Sequence, residues 1–212
     1  MATPNDITTF NDLCQKHSTW VIKYCSISFD LPLFFVWYTD IDENSTDRLL
    51  TYKNGNIFAT TSLAGFKTTL LTEINTLTVF ENLNPWLKDF KDIEAVEFCT
   101  YDLNLVTSNI DKKNLDIAAI EGFTNFINLF GDFINQDEMN NHLQVYRDNE
   151  LINKTWDYYY NYIFWPRFND KVKFEAWDRP LLSIDTNELL SKLKSIIKIF
   201  DNNISVTEKA IC

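Results

Sequence analysis

Glycine is scarce in this chain, four among 212 residues, and proline numbers five. Glycine reaches backbone conformations that other residues adopt only at a cost, so a fold that cradles phosphate in glycine-rich loops is not expected. The Walker loop, the dinucleotide glycine fingerprint, the zinc-protease pattern and the Gly-x-Ser-x-Gly elbow are all missing. Histidine, a common proton-transfer group near neutral pH, occurs only at His17 and His142. Both fall on apolar faces of predicted helices, where an imidazole is more often a structural group than a ligand. Cys14, Cys25, Cys99 and Cys212 share no metal-type spacing. They read as reduced, mostly buried thiols. No metal and no cofactor is expected, and the chain is expected not to be an enzyme.

Basic charge is also in deficit. Nineteen Lys and Arg stand against thirty Asp and Glu, a formal net charge of −11. Nucleic-acid binders draw much of their affinity from phosphate neutralisation, so nucleic acid is not an expected partner. An anionic membrane surface is disfavoured for the same reason. A basic protein is the partner this charge favours, through steering and complementarity. The first six residues lack a basic region followed by an apolar run, so no signal peptide is read. No uncharged apolar stretch approaches the roughly eighteen residues of a membrane span. A soluble, cytoplasmic protein is expected. The sequons at Asn44, Asn153 and Asn203 read as chance matches in an asparagine-rich chain.

Aromatic residues, by contrast, are plentiful: seventeen Phe, nine Tyr and six Trp. The run Leu31 to Tyr38 is continuously apolar and suits a central strand, with Pro32 at its start. It follows a β-like stretch, Trp20 to Phe29. Arg48 to Lys53 and Asn56 to Thr61 flank Asn54-Gly55, a strong hairpin signal because both turn positions need positive φ. An antiparallel meander of four strands is expected over 20–61. Before it, Phe10, Leu13, Cys14 and His17 share one helical face, with Thr9 as cap. After it come a helix carrying Phe66, Leu70, Ile74 and Leu77, and a short one opened by Pro85-Trp86. Ala95 to Thr100 and Leu103 to Asn109 read as two further strands.

The second half is mostly helical. Asn114 is the expected cap of a long helix striped by Ile120, Phe123, Ile127, Phe130 and Ile134. Met139, His142, Leu143 and Tyr146 again show helical spacing. Asp185 with Glu188 resembles a capping box before Leu189, Leu193, Ile196, Ile197 and Phe200. Strands first and helices later indicate α+β architecture: an N-terminal antiparallel β-meander followed by a mainly helical C-terminal half. One domain over 1–212 is read, β-rich to about 112 and helical from 113, with 111–114 as the best candidate for a boundary.

Two features suggest binding. The first is the acidic loop with Asp40, Asp42, Glu43 and Asp47, opposed locally only by Arg48. Its carboxylates can pair with a partner's lysines and arginines. The plainer reading is a solvated loop that protects an edge strand. The second is Trp156 to Pro166, WDYYYNYIFWP. As a helix it places Ile152, Trp156, Tyr159 and Ile163 on one face and Tyr158, Tyr162 and Trp165 on another. Tyr and Trp dominate interface hot spots; the plainer reading is a helix packed on both faces. The candidate partner-binding residues are therefore Asp40, Asp42, Glu43, Asp47, Trp156, Tyr158, Tyr162 and Trp165. A Cys25–His142 thiol dyad lacks any local signature. A carboxylate-based hydrolase is the enzymatic alternative, and a regulatory adaptor is the other.

The meander Leu33-Phe-Phe-Val-Trp-Tyr-Thr-Asp40 with its acidic loop and Asn54-Gly55 hairpin, joined to an acidic, aromatic helical half, resembles the immunity proteins of bacterial polymorphic-toxin and contact-dependent growth inhibition systems. That resemblance implies stoichiometric neutralisation of a cognate, basic, nuclease-type toxin. Carboxylates such as Asp40, Asp42 and Glu43 would mimic nucleic-acid phosphates in its cleft.

Overall fold

Leu33, Phe34, Phe35 and Val36 are all buried in the strand β2 (Leu33–Asp40), as a continuous apolar run requires of a strand covered on both faces. In this computed structural model, which describes residues 4–41, 45–90 and 93–207, β2 is central to a six-stranded sheet. β1 (Thr19–Cys25) pairs antiparallel along one edge of β2, Thr19 opposite Tyr38 and Tyr24 opposite Leu33. Along the other edge β3 (Thr46–Leu49) and β4 (Ile57–Thr60) pair with β2 in succession, both antiparallel. The Asn54-Gly55 turn lies between them, with Gly55 at φ +88°. Thus the antiparallel meander is present. The whole sheet is mixed, however, because β6 (Ile204–Thr207) joins β4 in parallel from the far end of the chain.

The structure divides into two compact units, residues 1–101 with 200–212, and residues 102–199. The division falls between Tyr101 and Asp102, ahead of the 111–114 segment.

In the first unit α1 (Pro4–His17), α2 (Phe66–Glu73) and α3 (Leu83–Asp89) accompany the sheet. Phe10 meets Trp86 and Phe90, with ring centroids 6.4 and 5.0 Å away. His17 is buried and sits 3.0 Å from the Asp89 carboxylate, which also accepts from Lys16. Asp201 is buried too; Tyr24 and Ser26 each donate a hydroxyl proton to its carboxylate at 2.6 Å. Helix α1 begins at Pro4, earlier than the Thr9 cap expected from sequence.

Leu103 to Asn109, expected as a strand, is the helix α4 (Leu103–Asp111), and the strand there is β5 (Cys99–Asp102). The reason is local. The Asp102 carboxylate accepts the Leu105 N–H at 3.0 Å, which caps a helix start. Leu103, Val106 and Ile110 then bury one helical face. Ala95 to Phe98 forms no strand of its own.

In the second unit α5 (Ile117–Asn135) is buried along almost its whole apolar stripe. Asp116, not Asn114, caps it by accepting the Ala119 N–H at 2.8 Å. The 139–146 stretch is a 3-10 turn, Glu138–Leu143, followed by α6 (Gln144–Arg147). Met139 and His142 are exposed there, so His142 does not lie on a core face as its spacing suggested. The helices α7 (Glu150–Tyr159) and α8 (Trp165–Asn169) are joined through a π turn, Tyr160–Phe164. Then come α9 (Lys171–Ala176), an irregular segment over 177–185, and α10 (Thr186–Asn202), entered through Asp185, whose carboxylate accepts the Asn187 and Glu188 N–H groups.

Where α5 passes α4, a Cβ built on Gly122 would lie 2.6 Å from Val106 Cγ2. Alanine gains helix propensity over glycine, about 1 kcal/mol. A contact that short costs more, about 1–3 kcal/mol for an overpacked core. Gly122→Ala is therefore expected to lower the urea midpoint, and adding Val106→Ala is expected to restore part of the loss. An additive double variant would show that the two side chains do not meet.

Candidate functional site

The twenty-residue rod from Glu150 to Asn169 buries one face and presents another. Ile152, Tyr159 and Ile163 are buried, the last two in one cluster with Ile120 and Phe174. Behind them the polar side chains are tied down. Arg167 grips Glu121 with two nitrogens, at 2.6 and 3.2 Å, and the Tyr159 hydroxyl donates to the same carboxylate at 3.0 Å. Asn128 links Trp156 and Tyr160: it accepts the Trp156 indole N–H at 2.8 Å and donates to the Tyr160 hydroxyl at 3.1 Å.

This buttress anchors the π turn, and its chemistry is pH-sensitive. The Arg167 hydrogen bonds hold the Glu121 carboxyl below its ordinary value of 4.5. A depressed acid contributes stability above its unfolded value and loses it as pH falls through the folded one. At pH 6, Glu121→Gln is expected to lower stability by about 1 kcal/mol, since the pair is partly exposed. The gap between variant and wild type should close in urea titrations taken below pH 4.5. A gap that stays constant down to pH 3 would remove the ion pair from the account.

On the presented side the aromatic rings form two groups. Tyr158 lies 5.1 Å from Tyr162, and Tyr162 lies 6.0 Å from Trp177. Phe164 meets Trp165 at 4.8 Å and stacks on Phe168 at 6.2 Å. Tyr162 is 37% exposed, Trp165 51%, Phe168 74% and Leu181 93%. A helix with an inserted π turn rotates its side chains locally, and such turns recur at functional sites. Large apolar groups exposed together mark interaction surfaces.

A cleft of about 820 Å³ opens between this face and the 177–185 segment. Glu150, Asn153, Lys154, Asp157, Tyr158, Asn161 and Tyr162 line one wall, and Pro180 to Ser183 the other. Two bonds hold the walls at this spacing: the Tyr158 hydroxyl donates to the Pro180 carbonyl at 2.7 Å, and Lys154 donates to the Ser183 carbonyl at 2.9 Å. Burial raises the Tyr158 phenol above its ordinary range.

The residues singled out from sequence fall into distinct situations. Tyr158 and Tyr162 line the cleft; Trp165 is exposed but is not among its lining residues. Trp156 is half-buried, its indole facing inward to Asn128 and Tyr160. In the first unit, Asp40 sits 3.4 Å from Arg48, and Asp47 accepts the Thr39 hydroxyl at 2.7 Å. Both are thus engaged across β2 and β3. Asp42 and Glu43 lie outside the described residues. The cleft's second wall was not foreseen. Its only sequence signal is Pro180, which excludes a helix there, with exposure alternating from Leu181 to Asp185 as in extended chain.

Cys14 and Cys99 are free thiols; burial pushes Cys14 up to about 12 and Cys99 up to about 11. Among the described residues no group of three or more His, Cys, Asp or Glu is placed to hold a metal ion, and no helix is long and apolar enough to cross a membrane.

No family model and no curated protein matches this sequence. Among solved structures, the crystal structure of the SatS C-terminal domain in complex with bromine is similar, with a TM-score of 0.60 at 10% identity. The match covers 94% of this chain and 99% of that chain. At that identity the likeness concerns the fold alone.

Proposed function

We propose that this chain is a protein-binding module that neutralises a basic partner by stoichiometric cover, in the manner of an immunity protein against a nuclease-type toxin. One observation carries the reading. Tyr162, Trp165, Phe168 and Leu181 are exposed in the same unit as a cleft lined by Glu150 and Asp157. Aromatic anchors ringed by charge are what a protein interface uses. The −11 net charge supports a basic partner. The resemblance to immunity proteins supports the finer assignment, toxin neutralisation. Since Asp40 and Asp47 are engaged within the chain, the interface is assigned chiefly to the α7–α8 face, with the acidic loop in a lesser role.

The test is affinity capture with the purified full-length chain as bait, from cells that express it, at low and at high salt. A basic protein recovered at one-to-one stoichiometry, and released by salt, is the expected result. Its isolated activity, whether nuclease or another, should fall to background on titration with one equivalent of this chain. A partner that keeps full activity in the complex would sink the inhibitory reading.

A further inference from the structure

The segment 177–185 carries no helix or strand, yet it is fixed to its unit at several points. The Arg179 guanidinium lies 4.5 Å from the centre of the Phe174 ring and donates to the Phe174 carbonyl at 3.2 Å. The Pro180 carbonyl accepts from Tyr158 and the Ser183 carbonyl from Lys154, at 2.7 and 2.9 Å. Leu182 packs against the cluster of Ile120, Tyr159 and Ile163. Between these anchors Leu181 is left out. At 93% it is the most exposed large apolar side chain among the described residues, and a pinned backbone carries it.

Local chemistry makes this stretch extended. Proline fixes φ at about −65° and drives the residue before it out of the helical region. Exposure then alternates, Leu181 and Ser183 exposed, Leu182 and Ile184 half-buried. A serine protease receives a chain in this form, with one side chain entering its specificity pocket. That pocket is an apolar slot in chymotrypsin-type enzymes, holds an acid in trypsin and is small in elastase. Leucine fits the first. Arg179 would fit the second, but its guanidinium is engaged on Phe174. Exposed loop tips are ordinarily nicked. A loop tied down on both sides of its exposed residue binds with little further ordering, as pre-organised inhibitors do.

We propose that the 177–185 segment is a protease-inhibitory loop: it docks in the active-site cleft of a serine protease with an apolar specificity pocket, Leu181 fills that pocket, and the chain stays uncut because Tyr158 and Lys154 hold the backbone on either side. This goes beyond the neutralisation reading and does not depend on it.

The experiment titrates the full-length chain into chymotrypsin, trypsin and elastase. It follows hydrolysis of a small chromogenic substrate of each enzyme and weighs the recovered chain by mass spectrometry. Chymotrypsin is expected to lose its activity at one equivalent, with the 181–182 bond of the recovered chain intact, while the other two enzymes keep theirs. Leu181→Gly should weaken inhibition at least about 100-fold and leave the urea midpoint unchanged, since the side chain is exposed. Leu181→Arg should transfer inhibition from chymotrypsin to trypsin. Tyr158→Phe keeps the ring and frees the Pro180 carbonyl; it should turn the chain into a substrate cut after Leu181. Rapid cutting of the wild-type chain after Leu181, without inhibition, would make the segment an ordinary exposed loop and overturn the proposal. Chymotrypsin left fully active beside an uncut chain would overturn it too, because the loop would not enter the cleft. Inhibition that survives Leu181→Gly would place the contact elsewhere and overturn the role of this loop. A chain that captures a basic partner and inhibits no protease loses the loop's role and keeps the neutralisation reading.

Discussion

Replacing Asp201 with alanine is expected to cost about 3 kcal/mol of stability, read as a lower urea midpoint with an unchanged slope. The carboxylate is buried near the C-terminal end of α10, where the helix dipole opposes a negative charge. It persists there because Tyr24 and Ser26, both fully buried, aim hydroxyls at it from 2.6 Å. Hydrogen bonds to a charged acceptor contribute about 1.5–3 kcal/mol each. Alanine removes both and takes from each buried hydroxyl the charged acceptor it donates to. Against this stands the desolvation cost of the carboxylate, which its removal relieves. The losses win, because the hydroxyls remain buried after the acid is gone. Burial, and then the Asp201 charge, hold the Tyr24 phenol well above its ordinary range. Asp201→Asn keeps volume and one acceptor, and is expected to cost only about 1 kcal/mol. An alanine variant as stable as wild type would mean that relief of desolvation dominates.

Removing the Trp165 and Phe168 rings together is expected to weaken the captured partner about 100-fold, near 3 kcal/mol, with little change in stability. Both side chains are more than half exposed, and surface substitutions usually change stability by within about 0.5 kcal/mol. Trp156→Ala supplies the contrast. That indole donates to Asn128 and packs at 4.3 Å from Tyr160, so its loss should lower the urea midpoint and leave affinity nearly intact. Affinity indifferent to Trp165 and Phe168, measured by calorimetry on the purified pair, would move the interface off this face.

Local pattern explains how much was legible. The apolar run of β2, the Asn54-Gly55 turn, the striped α5 and the Asp185 cap each carry their signal within a few neighbouring residues. The 103–109 stretch misled because Val106 and Thr107 are strand-favouring residues, while the deciding contact, the Asp102 cap, lies just before it. Position 142 misled because its helical spacing is realised as a 3-10 turn, whose side chains eclipse every third residue.

The candidate site divides the same way. Sequence alone determined that the 156–165 segment is an aromatic-rich helical stretch. Composition supplied the proposal of a basic partner. Only the tertiary structure decided that Trp156 turns inward, that Asp40 and Asp47 are engaged across β2 and β3, and that Pro180 to Ser183 closes a cleft over Glu150 and Asp157. The physical reason is range. Helical periodicity and charge are properties of neighbouring residues, whereas pairing a carboxylate across two strands or facing two walls depends on groups eight to twenty-two positions apart, which only the fold brings together.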